Sequence, residues 1–222
     1  MAGLSGLRAQ SPSAPCELTS RLLPKILDEK KLEKLTTVNV LDFGRAYGPS
    51  LELFNQYSCR LCVLDASEAL LNWSADIGSR EEPPSCKQME QELDGILAEM
   101  KGFRFDLLFL WDTLNHLHPH TLTAFSNVVK RVLAPSFRGH GFLHHKRGAE
   151  QKLRSLGLKD SDTVAVRDER EFDLYAHNRK VISEALGADL HIDHGVLHGD
   201  GRLEFMMVNG RQPQRETASV QP

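Results

Sequence analysis

Apolar positions along this chain follow two spacings. Residues 38–43, 59–64 and 105–110 are short, nearly continuous apolar runs, and they predict buried strands. Residues 50–57 carry Leu51, Leu53, Phe54 and Tyr57 at helical spacing. A second helix is capped by Ser67 and carries Leu70, Leu71 and Trp73. Residues 89–100 and 121–133 are amphipathic helices, the latter stopped by Pro135. Residues 172–186 predict another helix, with Gly187 as its terminator. Residues 141–145 are a candidate fifth strand, and 190–197 and 202–208 flank Gly199–Asp200–Gly201 as a hairpin. Residues 17–35 predict an amphipathic helix on Leu22, Leu23, Ile26, Leu27, Leu32 and Leu35, residues 150–156 a short helix, and residues 74–86 a loop around Gly78, Pro83 and Pro84.

Buried strands alternating with helices imply an α/β fold, a mainly parallel sheet covered on both faces with right-handed crossovers. One domain over residues 17–210 accounts for this pattern. Residues 1–16 and 211–222, rich in Ser, Ala, Pro, Gln and Arg, predict flexible tails.

Composition narrows the class. The 222 residues are 41% hydrophobic and 26% charged, as in a soluble globular protein. A net charge of −3, from 27 basic and 30 acidic residues, gives no nucleic-acid footprint. No run reaches the ~18 apolar residues of a membrane span, and the first residues lack a signal-peptide core. Cys59 and Cys62 have redox or zinc spacing but fall in an apolar strand with no second ligand pair, so they read as buried small hydrophobes. No disulfide framework is implied, which points to a cytoplasmic protein.

The chemistry sits after the first strand. Asp42–Phe43–Gly44–Arg45–Ala46–Tyr47–Gly48 joins a strand end to a helix start, with small residues at 44, 46 and 48 where a ligand approaches backbone. Asp65 closes the next strand, where an acidic side chain can accept hydrogen bonds from ribose hydroxyls. The dinucleotide fingerprint G-x-G-x-x-G fails, since Ala46 and Pro49 stand at its second and third glycines. A nicotinamide enzyme is therefore disfavoured.

Acidic-x-Gly-x-Ala-x-Gly resembles the first motif of class I S-adenosylmethionine (SAM)-dependent methyltransferases. The likeness continues through Leu64-Asp-Ala-Ser67, through Phe105-Asp-Leu-Leu-Phe-Leu-Trp-Asp-Thr-Leu-Asn-His-Leu117, and through the helix end Val129-Lys-Arg-Val-Leu-Ala-Pro135. The terminal hairpin is similar to the family's last two strands. The resemblance implies a Rossmann-like three-layer sandwich with a mostly parallel sheet of about seven strands, the last antiparallel. It implies SAM as cofactor and a small-molecule methyl acceptor. Gly44, Ala46 and Gly48 would meet the methionine portion and ribose. Asp42 would orient the loop, Asp65 and its neighbour Ala66 would hold the ribose, and Leu110, Trp111 and Asp112 would line the reactive end. His116, just past the fourth strand, is the candidate catalytic base, with a loop tether as its plainer role. His145 is a second residue that could face the cleft.

The chain departs from the family pattern at Ala46, at Ser136–Phe137 after Pro135, and between residues 74 and 100, where no third strand is legible. A second function stays open on these departures: a methyltransferase fold serving as a binding or scaffold subunit. The histidines at 116, 118 and 120 and at 191, 194 and 198 lack the converging spacing of a metal site, so no metal is expected. The run Arg167–Asp168–Glu169–Arg170–Glu171 reads as a solvated loop or helix start.

Overall fold

The computed structural model describes residues 16–28, 32–64, 67–144 and 152–210. The expected tails at 1–15 and 211–222, and Asp65, Ala66 and His145, lie outside the described residues.

The elements run β1 (Cys16–Thr19), α1 (Leu23–Ile26), β2 (Val38–Asp42), α2 (Gly48–Phe54), β3 (Cys59–Val63), α3 (Ser67–Ser79), α4 (Cys86–Ile96), β4 (Phe105–Trp111), α5 (Pro119–Lys130), β5 (Leu133–His144), β6 (Lys152–Leu158), β7 (Thr163–Glu171), α6 (Arg179–Leu186), β8 (Leu190–Leu197) and β9 (Arg202–Asn209). The main sheet has six strands in the order β3-β2-β4-β5-β9-β8. β2, β3, β4 and β5 are parallel, and β9 runs antiparallel to both its neighbours. The α/β class and the antiparallel last strand are as expected. The strand count is not: among the described residues the main sheet ends at β3, and a separate three-stranded sheet, β1-β7-β6, packs on one of its faces.

Alternation along β4 shows how the sheet is covered. Leu108 and Leu110 enter a core shared with α3, α4, α5 and α6, whereas Leu107, Phe109 and Trp111 enter a second core. That second core is built from α1, α2 and the small sheet, through Leu22, Leu23, Ile26, Leu156, Leu158 and Val164. Cys59 packs toward one core and Cys62 toward the other, which separates their thiols across the strand.

Five segments differ from expectation. Residues 17–35 do not form one helix. Cys16–Thr19 is a strand on β7, and the short helix α1 follows with Pro24 in its first turn. α3 runs through Gly78, because a Cβ there would lie 2.6 Å from His118 Cδ2 and glycine admits the neighbouring ring. Residues 172–178 are not helical because their backbone is spent on the turn after β4: Tyr175 N–H donates to the Asn115 carbonyl at 2.6 Å. The helix begins only at the Asn178 cap, whose side chain accepts from Val181 N–H. Residues 152–158 and 163–171 are the strands β6 and β7 instead of a helix and a charged loop.

Candidate active site

The strand order reverses between β2 and β4, since β3 lies on one side of β2 and β5 on the far side of β4. Ligands of open α/β sheets bind outside the carboxyl ends of the strands at such a reversal. Asp42 ends β2 and Trp111 ends β4, so this pair straddles the switch.

The two side chains are joined. Trp111 Nε1–H donates to Asp42 Oδ1 at 2.6 Å, and Gly44 N–H donates to the same oxygen at 2.7 Å. Burial pushes the Asp42 carboxyl up to about 6, against the pull of these two donors. The indole stacks on Phe109 with ring centres 5.4 Å apart and the planes 22° from parallel. Trp111 has φ +51, the one non-glycine positive φ among the described residues. A backbone in this region is costly for a bulky side chain and persists only where its surroundings hold it.

Gly44 is the residue that lets the indole come so close. A Cβ at position 44 would sit 2.7 Å from Trp111 Nε1, 2.9 Å from Asp42 Oδ1 and 3.0 Å from the Leu156 carbonyl. The glycine cradle is filled by the chain's own side chain. A crevice of about 50 Å³ remains between Gly44, Arg45, Trp111 and Asp112 on one side and Leu153, Arg154, Asp168 and Arg170 on the other. It has room for a few waters, and pockets for ligands of cofactor size run to roughly 300–1,000 Å³. A ligand of that size needs a wider crevice than the described residues leave here.

The small sheet forms the far wall. Arg167 donates to the Ala46 carbonyl at 2.9 Å and lies over the Tyr47 ring, 4.7 Å from its centre. Tyr47 packs on Gly157, where a Cβ would lie 2.7 Å from its Cδ1. Ser50 Oγ donates to the Leu158 carbonyl, and Arg154 N–H donates to Asp112 Oδ2 at 3.3 Å.

Asp112 is buried, and its Oδ2 lies 3.6 Å from His116 Nε2. His116 is fully buried, and its Nδ1 is 2.7 Å from the Asp173 carbonyl. A carbonyl only accepts, so Nδ1 carries the hydrogen. Nε2, on the side of the carboxylate, has no hydrogen-bond partner. His144 is also buried, and its imidazole is pushed below the ordinary histidine value by burial, with the Arg154 cation adding to this.

Of the residues expected at the site, Asp42, Gly44, Trp111 and Asp112 come together here, and His116 lies behind Asp112. Ala46 and Gly48 are exposed and do not line the crevice, and Leu110 points into the helix-side core. The wall from β6 and β7 was not anticipated. Among the described residues no three His, Cys, Asp or Glu side chains gather as metal ligands, and no helix is long and apolar enough to cross a membrane.

A family profile described as "Methyltransferase domain" matches residues 7–158. The chain belongs to this methyltransferase family. The resemblance read from its motifs is thereby confirmed. No curated protein matches the methyltransferase chain. Among solved structures, a SAM-dependent methyltransferase from Clostridium acetobutylicum ATCC 824 is 16% identical, covering 87% of this chain and 93% of that one at a TM-score of 0.47. The 1,6-didemethyltoxoflavin-N1-methyltransferase of Burkholderia thailandensis is 18% identical, covering 85% and 77% at 0.44. At these scores neither likeness bears on the site.

A second buried polar centre escaped the sequence reading. Glu204, fully buried on β9, accepts from Ser20 Oγ, from Arg21 and Leu22 N–H at 3.0 Å each, from His140 Nε2 at 3.0 Å and from His198 Nε2 at 2.9 Å. Burial alone would raise its carboxyl, but the bonds from His140, Ser20 and Arg21 hold it well below the usual range. His140 stays neutral because burial outweighs the attraction of Glu204.

Proposed function

We propose that this protein transfers a methyl group from SAM to a small-molecule acceptor. The observation that carries the reading is the family match over residues 7–158, which takes in the Asp42–Gly44 turn at the switch between β2 and β4. SAM, when bound, supplies an electrophilic methyl on sulfonium. The chain's share would be to position and to exclude water. The wall of β6 and β7, tied to the turn by Arg167 and Ser50, suits the second task. Asp112 supplies the carboxylate that lines the crevice. His116, held through Nδ1 by Asp173, fits a positioning role behind Asp112 better than direct contact with an acceptor. Asp65 and Ala66, outside the described residues, are assigned to the ribose by the motif resemblance.

The test is thermal unfolding with SAM or S-adenosylhomocysteine. A ligand bound by the native state alone at about 100 times its Kd stabilises by ~2.7 kcal/mol, which raises Tm by roughly 5–10 °C. No shift at millimolar ligand would favour the scaffold reading. Once binding is seen, Asp65→Ala is expected to weaken it about tenfold or more, the loss of hydrogen bonds to both ribose hydroxyls. Unchanged affinity would refute that assignment.

A further inference from the structure

We propose that Trp111 is a built-in plug of the ligand crevice: it occupies the room against Gly44, and the crevice admits a ligand only after the indole leaves Asp42. This rests on the methyltransferase reading, and it reconciles that reading with a crevice too small for the cofactor.

Four observations converge on this one side chain. The indole fills the place that a glycine at position 44 keeps free of a Cβ. Its Nε1–H is bonded at 2.6 Å to the carboxylate that would otherwise serve the turn. Its backbone sits at φ +51, a costly conformation for a bulky residue that its surroundings hold in place. The remaining crevice, about 50 Å³, is closed on its other side by Leu156 and its neighbours on β6.

Together they describe a side chain held in a strained position by a bond to the functional carboxylate, inside the functional crevice. A rotation of Trp111 out of the cradle would break one hydrogen bond and the Phe109 stack and vacate the face of Gly44. The wall would move with it, since Leu156 touches the same place and Arg154 N–H is tied to Asp112. If only a small fraction of molecules is open, the apparent Kd is the intrinsic one divided by that fraction. Weakening the plug therefore tightens binding, the reverse of what removing a ligand contact does.

The chain has two tryptophans, Trp73 and Trp111, so Trp73→Phe leaves Trp111 as the sole indole reporter. S-adenosylhomocysteine is the probe. In the W73F protein its binding should change the Trp111 emission, at a rate that levels off with concentration because opening limits it. Trp111→Phe keeps an aromatic ring for packing, while it removes the Nε1–H donor and trims the bicyclic indole to one ring. Calorimetry should give it a Kd several-fold lower than wild type. Trp111→Gly, which suits the positive φ, should lower it about tenfold or more if the variant melts cooperatively. W111F keeps the test open if W111G does not fold. Equal or weaker binding by W111F, or calorimetric binding with no change in Trp111 emission, overturns the plug and leaves the methyltransferase reading intact. Absence of binding by both wild type and W111F at millimolar probe overturns the methyltransferase reading, and the plug with it.

Discussion

Asp42 has the clearest energetic signature of any single residue here. Its folded-state value of about 6 lies above the ordinary 3.8, so the native state holds an extra proton between those limits. The ionised carboxylate therefore costs stability in full above pH 6, and the cost vanishes as pH falls toward 3.8. Asp42→Asn keeps an oxygen for Trp111 and Gly44 and carries no charge to desolvate. It is expected to raise stability at pH 8 by up to about 3 kcal/mol, with a smaller gain at pH 5, as measured by thermal melts. Glu204 behaves in the opposite sense. Its carboxyl is held below the ordinary 4.5, so its contribution is complete above that pH and is lost as acid protonates it. Glu204→Gln turns an amide donor toward a ring of donors, and should cost about 3 kcal/mol at pH 7 in urea unfolding. Asp42 and Gly44 were legible because a strand end followed by small residues leaves a local trace. Glu204 was not, because Ser20 and His140 lie 184 and 64 residues away and nothing near Glu204 announces them.

At the level of elements, the short helix expected at 150–156 and the strand found there share one set of residues. Leu153 and Leu156 are three apart, a helical spacing. In the strand the same odd spacing puts the two on opposite faces: Leu153 packs against the helix-side core, and Leu156 enters the second core with Leu158. The charged end of β7 hid a strand for a related reason. Arg167 and Arg170 leave the sheet to meet Ala46 and Glu68, while Val164 and Val166 fill the core. Parallel strands β2 and β4, buried along nearly their whole length, gave unambiguous apolar runs, and so did the edge strand β3, although it is only half-buried. The docking of β6 depends on Gly157. Gly157→Ala would press its methyl on Tyr47, and should cost about 1–3 kcal/mol and raise proteolytic cleavage near residues 152–158, as limited proteolysis would show. Unchanged cleavage would mean that Tyr47 shifts freely and does not brace the wall.

Across the whole molecule, the parallel strands place the switch point and the helices on one face are conventional, but the other face is covered by β1, α1, α2 and a small antiparallel sheet. That second cover links the site to both ends of the described chain. β1 pairs with β7, and the segment after it is anchored by Glu204 on β9. As the chain leaves the ribosome, Ser20 emerges 184 residues ahead of the carboxylate it meets. The earliest-synthesised described segment is thus among the last to settle, and nascent chains halted before residue 200 should present it to proteases and chaperones.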